Sequence, residues 1–246
     1  MRRFFLERKR IEKGRAIING NEARHVGKVL RLGVGDTLYL LDEDGWEYQA
    51  IIASKSSKIV EVEILTKCPP REDTSITIAL GQSLPKAQKM DYIVQKAAEL
   101  GVTTIIPFFS TRSVSSLDDE RSQRKRIRWQ KIALEATKQC GRLFVPHIEA
   151  IVSFKKVLEK WNDNPLKIML WEDEKSITLK DVLKKTQPFS KIIFLVGPEG
   201  GFTPDEVEIA RHAGFQTVGL GRYILRTETA GMCLLSILQY EWGDLG

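Results

Sequence analysis

The amino-acid sequence predicts an α/β chain in two parts, a small β-barrel followed by a mainly parallel sheet covered by helices. Three observations lead there. Residues 1 to about 70 hold short apolar runs and no long helical pattern, and from Thr74 onward strands alternate with helices. The last fifth, residues 191–242, reads strand, glycine loop, helix, short strand, second loop, helix. Short strands at regular spacing suit a barrel, whereas strand–helix alternation suits a parallel sheet buried on both faces.

In the first part, residues 37–41 and 46–52 flank Asp42-Glu43-Asp44-Gly45, a hairpin signal. Residues 59–64 alternate apolar and acidic side chains, as a half-exposed strand does. Two prolines and a charge run make residues 68–73 a linker, so the expected domains are 1–72 and 73–246. In the second part, residues 76–80, 104–108, 167–171, 191–196 and 217–220 read as strands. The clearest helix carries Met90, Ile93, Val94, Ala97 and Leu100 on one face. Another helix has a well-specified start, because Thr203-Pro204-Asp205-Glu206 combines a capping box with proline at the first helical position.

The strand at 191–196 ends in Gly197-Pro198-Glu199-Gly200-Gly201-Phe202. Glycines beside a helix start let a ligand approach bare backbone, where free N–H groups are donors. A phosphate loop fits poorly. Phe202-Thr203 stand where Lys-Ser/Thr would follow the last glycine, the spacing is not G-x-G-x-x-G, and Glu199 would repel a polyphosphate. A neutral or cationic ligand with a sugar and a base suits the loop better. A plain strand–turn–helix corner, with the glycines serving geometry alone, fits the spacing equally well.

Length and composition set further bounds. Cys68, Cys140 and Cys233 are scattered without C-x-x-C spacing, which points to free thiols in a reducing cytosol, and His25, His147 and His212 are equally dispersed, so no metal is expected. No apolar N-terminal segment or long uncharged span suggests secretion or membrane insertion. The formal charge of +6 is unevenly spread: residues 1–31 hold ten Lys/Arg against three Asp/Glu, and residues 112–142 hold nine against four. Segregation of this kind is the footprint of a polyanion binder, although a solvated helix face accounts for a single run. The RNA-contact candidates are Arg2, Arg3, Arg24, Lys28 and Arg31, then Arg121, Arg124, Arg126 and Arg142 beyond Asp118.

Gly197-Pro-Glu-Gly-Gly-Phe-Thr, followed by Leu220-Gly-Arg-Tyr-Ile-Leu-Arg-Thr-Glu-Thr-Ala, resembles the paired C-terminal motifs of SPOUT RNA methyltransferases. Within that class the chain is similar to the bacterial ribosomal small-subunit (16S) RNA uridine-N3 methyltransferase family. The similarity continues through Val29-Leu-Arg with Gly35-Asp36, Gln95-Lys-Ala-Ala-Glu-Leu-Gly-Val102, Ser110-Thr-Arg-Ser113 and Glu135-Ala-Thr-Lys-Gln-Cys-Gly-Arg142. It implies a PUA-like RNA-binding barrel, then a SPOUT-type domain with a C-terminal trefoil knot formed by the two loops. It also implies a cytoplasmic homodimer that uses S-adenosylmethionine on 16S ribosomal RNA or the small subunit.

The same resemblance implies a cofactor pocket made by Val196, Gly197, Glu199 and Gly200 with Leu220, Gly221, Ile224 and Leu225. Leu170, Trp171 and Glu172 would complete it, Glu172 facing the ribose hydroxyls, with Thr229 and Ala230 seating the methionine part. Trp171 reads equally as a core aromatic. For the chemistry, removal of the imide proton needs a base or a cation that stabilises the resulting charge. Glu199 and Glu228 are the carboxylates available, and Arg226 and Arg112 the cations; each reads equally as a cap or ion-pair partner. Two other activities remain open on the sequence: a SPOUT methyltransferase acting on another RNA or a ribose 2′-hydroxyl, and a non-catalytic RNA-binding protein.

Overall fold

The computed structural model describes residues 3–6, 10–42, 45–69, 76–113, 118–160, 165–185 and 189–245. Two compact units result, Met1–Asp73 with Thr137–Val145, and Thr74–Ala136 with Pro146–Gly246.

The first unit is a curled six-stranded sheet. Its strands are β1 (Arg3–Phe5), β2 (Ile11–Glu12), β3 (Arg15–Asn19), β4 (Thr37–Leu41), β5 (Glu47–Lys55) and β6 (Ile59–Cys68), in the order β1-β4-β5-β6-β3-β2. Period-two alternation sends Tyr48, Ala50 and Ile52 of β5, and Val60 and Val62 of β6, into one core with Phe4, Ile18, Leu38 and Leu40. Register shifts between β5 and β6, at Gln49/Ala50 and Ile52/Ser54, supply the local twist that curls the sheet. The hairpin forms where expected, and Asp42 closes it: its carboxylate accepts from Trp46 N at 2.9 Å and from the Tyr48 hydroxyl at 2.9 Å.

Several sequence expectations change in this unit. Cys68 is the last residue of β6 and not part of a linker; residues 70–73 of that linker, and Arg2, lie outside the described residues. Arg3 is an internal tie, pairing with Glu47 at 2.9 Å and donating to the Gly141 carbonyl at 3.1 Å, so its guanidinium is already engaged. A short helix, α1 (Gly20–Arg24), runs on into a π-helical turn at His25–Val29, unforeseen because so short a stretch carries no readable periodicity.

The second unit begins with β7 (Thr77–Ser83), α2 (Lys89–Glu99), β8 (Thr104–Phe109), α3 (Asp119–Cys140), β9 (His147–Ile148) and β10 (Val152–Ser153). It continues with α4 (Phe154–Leu158), β11 (Leu166–Leu170), α5 (Leu179–Lys185), β12 (Lys191–Val196), α6 (Pro204–His212), β13 (Gln216–Val218) and α7 (Thr227–Trp242). Seven strands form one sheet in the order β10-β8-β7-β12-β11-β13, with β9 beside β8, and every pairing is parallel. The strands β7 and β12 at its centre are buried on both faces, which is why β12 is a nearly continuous apolar run, while β7 is apolar over Ile78, Ala79 and Leu80 and ends in buried Gln82 and Ser83. Each fully buried side chain there, such as Ile78, Leu80 or Ile192, contributes about 1.5–3 kcal/mol.

Helix ends follow the residues read for them. At α6 the Thr203 hydroxyl accepts from Glu206 N at 3.2 Å and the Glu206 carboxylate accepts from Thr203 N at 2.9 Å, with Pro204 at the first helical position. Helix α2 buries Met90, Ile93, Val94, Ala97 and Ala98. On α3, Trp129 is buried and donates to Asp91 at 3.2 Å, and Arg126 donates through Nε to the Ile148 carbonyl at 2.9 Å. Arg121 and Arg124 remain exposed, in ion pairs with Asp118 and Glu120. Among the described residues no helix is long and apolar enough to cross a membrane.

Candidate functional site

A cavity of about 370 Å³ opens at the carboxyl ends of β11, β12 and β13. Parallel α/β sheets bind ligands at such strand ends, since the loops leaving the strands diverge there and expose unpaired backbone. Leu170, Trp171 and Glu172 line it from β11; Val196, Gly197, Pro198, Glu199 and Gly201 from β12; and Gly219 with the loop Leu220 to Arg226 from β13. Thr227 and Ala230 of α7, and Lys89 of α2, complete the wall. The structure therefore brings together eleven of the thirteen expected cofactor residues: Leu170, Trp171, Glu172, Val196, Gly197, Glu199, Leu220, Gly221, Ile224, Leu225 and Ala230.

Two of the thirteen, Gly200 and Thr229, are placed off the cavity wall. Gly200 does not line the cavity; it lies against the Arg112 side chain, and its carbonyl accepts from Arg112 Nη1 at 2.8 Å. The glycine with left-handed backbone is its neighbour Gly201, with φ of 67°, where a Cβ would stand 1.7 Å from Glu172 Oε1. The Glu172 carboxylate thus packs directly against Gly201. Thr229 is exposed one position off the lining face of α7, and Thr227 occupies the place expected of it. The Thr227 hydroxyl donates to the Gly197 carbonyl at 2.6 Å and accepts from Gln82 Nε2 at 3.0 Å, tying the two loops to β7.

The four residues considered for chemistry separate by position. Arg112 braces the 197–202 loop from outside, and the neighbouring Thr111 N donates to Glu206 at 2.8 Å. Arg226 lines the cavity as the N-cap residue of α7 and has no ion-pair partner among the described residues. Glu199, from the first loop, and Glu228, in the first turn of α7, converge on Lys89: its Nζ lies 3.0 Å from Glu199 Oε1 and 3.4 Å from Glu228 Oε2. Glu199 also accepts from Lys86 N at 3.1 and 3.3 Å.

Charge states follow from these contacts. The Lys89 ammonium is held above its ordinary value, first by its hydrogen bond to Glu199 and against the loss of hydration. Burial alone would raise the Glu199 carboxyl, yet backbone donors and Lys89 outweigh it and hold Glu199 below the ordinary carboxylate value. Glu199 and Lys89 are therefore both charged at neutral pH, and a carboxylate held this low is a weak general base. Lys89 and Lys86 were not anticipated from the sequence. Lys89 is the first residue of α2, and its position there carries no signal of a partner more than a hundred residues away.

A second carboxylate shapes the wall without entering it. Glu174 is 7% exposed and accepts from the Thr217 hydroxyl at 2.6 Å, Ser176 N at 2.9 Å, Ile177 N at 3.2 Å and Arg211 Nη2 at 3.2 Å. The Arg211 guanidinium lies 5.4 Å from the centroid of the Trp171 ring. Chiefly the Thr217 hydroxyl, then the backbone donors and Arg211, lower the Glu174 carboxyl below its ordinary value against burial. A depressed carboxyl stabilises the fold above its unfolded value and loses that contribution as pH falls through the folded one. Glu174→Gln is therefore expected to cost about 1–3 kcal/mol at pH 7. The gap to the natural chain, read by urea unfolding, should close in acid below the ordinary carboxylate value; a pH-independent gap would mean that charge plays no part.

A parallel sheet with its cavity at three adjacent strand ends, and a curled PUA-like sheet before it, define the SPOUT class of RNA methyltransferases. The family described as an RNA methyltransferase domain matches residues 72–239, and that described as an RNA methyltransferase PUA domain matches residues 18–65. Ribosomal RNA small subunit methyltransferase E of Bacillus subtilis (strain 168) is 33% identical over 248 residues, 98% of this chain and 97% of the relative. The crystal structure of ribosomal RNA small subunit methyltransferase E from Neisseria gonorrhoeae, bound to S-adenosylmethionine, shares 34% identity with a TM-score of 0.87 over 100% of both chains. A Legionella pneumophila protein solved in complex with the same cofactor shares 31% identity with a TM-score of 0.86 over 99% of both. The chain belongs to the ribosomal RNA small subunit methyltransferase E family.

Proposed function

We propose that this protein transfers the methyl group of S-adenosylmethionine to N3 of a uridine in 16S ribosomal RNA, forming 3-methyluridine. The observation that carries the reading is the cavity, whose residues fit this cofactor. Glu172 offers a carboxylate to a ribose diol, and the backbone of residues 221–225 makes no hydrogen bond to the rest of the chain among the described residues, leaving donors and acceptors for an adenine edge. Bound there, the cofactor supplies an electrophilic methyl group on a sulfonium. The cluster of Lys89, Glu199 and Glu228 has a net charge of one negative, which favours a cationic ligand.

The rest of the assignment follows from the same reading. Gly219 N donates to the Ile177 carbonyl at 3.0 Å, tying the start of the second loop to the 171–177 loop, and the family resemblance adds a trefoil knot formed by the two loops at 197–202 and 220–225. The barrel, residues 1–72, captures RNA through the exposed Arg24, Lys28 and Arg31, while Arg121, Arg124 and Arg142 extend the contact and residues 73–246 hold the chemistry. The protein works as a cytoplasmic homodimer and needs no metal. Mass spectrometry of 16S ribosomal RNA from cells lacking the protein tests the function. Loss of a single 3-methyluridine, restored by the natural gene, is the expected outcome; loss of a 2′-O-methyl group would overturn the N3 assignment. Failure to bind S-adenosylhomocysteine in calorimetry would overturn the enzyme reading itself.

A further inference from the structure

We propose that Lys89 is a catalytic residue, whose ammonium stabilises the negative charge that develops on the uracil carbonyl oxygens as N3 loses its proton; this rests on the N3-methylation reading above. Lys89 lines the cavity, its side chain is 33% exposed, and its two carboxylate contacts come from the first cofactor loop and from the first turn of α7. An ammonium carries three N–H donors. Glu199 and Glu228 engage the ammonium, and on a lysine that lines the cavity this leaves a third donor to offer. Glu228 Oε2 is buried and accepts no hydrogen bond, although it lies within ion-pair distance of Lys89. That oxygen is closed off from the cavity, whose lining does not include Glu228, so Glu228 acts by holding the lysine.

The chemistry needs a cation beside the acceptor. A uridine imide is neutral at pH 7, and its N3 becomes nucleophilic only as the N–H bond breaks. The proton passes to water in the open cavity while the charge left behind spreads onto O2 and O4, where the Lys89 ammonium stabilises it. The N3 electron pair forms the bond to the methyl carbon, the carbon–sulfur bond breaks with its pair remaining on sulfur, and S-adenosylhomocysteine leaves as a neutral thioether. A donor aimed at charge that appears only in the transition state raises kcat without tightening the ground state. Glu199, already held by Lys86 N and Lys89, positions the lysine.

A brace between the first loop and α7 is the alternative role for Lys89, and it predicts different kinetics. The test compares the full-length protein with its Lys89→Gln, Lys89→Arg and Glu228→Gln variants in methylation of small ribosomal subunits lacking the modification. Lys89→Gln is expected to lower kcat about 100-fold, the effect of removing one such donor. S-adenosylhomocysteine affinity should stay within about threefold, with Lys89→Arg recovering most of the loss. Substitution of the acceptor by 5-fluorouridine, whose N3–H is more acidic, should shrink the Lys89→Gln defect, because the imidate then needs less stabilisation. Glu228→Gln should lower kcat with RNA affinity unchanged. Natural kcat in Lys89→Gln, or a defect equally large on the fluorinated acceptor and accompanied by weakened cofactor binding, would overturn the proposal. A product other than 3-methyluridine from the natural protein would overturn the functional reading instead.

Discussion

Replacing Gly219 with alanine is expected to weaken S-adenosylhomocysteine binding about 30-fold, equivalent to about 2 kcal/mol. A Cβ there would stand 2.4 Å from the Glu174 carbonyl oxygen, a backbone atom that has no side-chain torsion with which to move away. The four hydrogen bonds to the Glu174 carboxylate pin the 171–177 loop, so the strain falls on the other partner, the Leu220–Arg226 segment of the cavity wall. Gly201→Ala makes an informative contrast. Its clash is with the Glu172 carboxylate, the far end of a side chain that can swing aside, while a left-handed backbone costs about 1–2 kcal/mol in a non-glycine residue. It should weaken nucleoside binding by displacing Glu172 while leaving the 171–177 loop in place. Calorimetric titration of both variants reads the difference, and a Gly219→Ala protein that binds normally would show that the two loops do not share one wall.

Removing the exposed barrel cations should have the largest effect on RNA. Arg24, Lys28 and Arg31 changed together to glutamine are expected to reduce the slope of log affinity against log salt by about two to three units, since each lost phosphate contact lowers it by roughly 0.7 to 0.9. Affinity near 50 mM salt should fall by at least about tenfold, and cofactor affinity should not move. The three side chains are exposed, whereas Arg3 is spent on Glu47 and the Gly141 carbonyl, and Arg126 on the Ile148 carbonyl. Arg3→Gln and Arg126→Gln should therefore act mainly on stability. Filter binding across a salt series separates the two groups, and an unchanged slope in the triple variant would remove the barrel from RNA capture.

Signals confined to a few residues were legible in the sequence. The strand at 191–196 starts and ends where its apolar run does, the hairpin forms around Asp42, and the Thr203–Glu206 box caps α6. Each depends on atoms within a turn or a strand repeat, so local spacing suffices to specify it. The paired C-terminal motifs likewise marked seven residues of the cavity wall: Gly197, Glu199, Leu220, Gly221, Ile224, Leu225 and Ala230. Gly200 and Gly201 look alike in sequence; only the backbone shows that Gly201 takes the positive φ and that Gly200 packs on Arg112.

By itself, then, the sequence determined the main strands, the cap of α6, the parallel character of the second sheet and the two loops that meet at its strand ends. These follow from hydrophobic period, turn chemistry and charge placement, all short-range quantities. The tertiary structure alone decided which charges meet. Lys89 reaches Glu199 and Glu228, Arg112 reaches the Gly200 carbonyl, and Glu174 collects Thr217 and Arg211, because β12 lies between β7 and β11 and β13 lies beyond β11. That strand order joins residues far apart in the chain, and an ion pair forms only where the completed sheet brings two side chains within a few ångströms and out of full hydration.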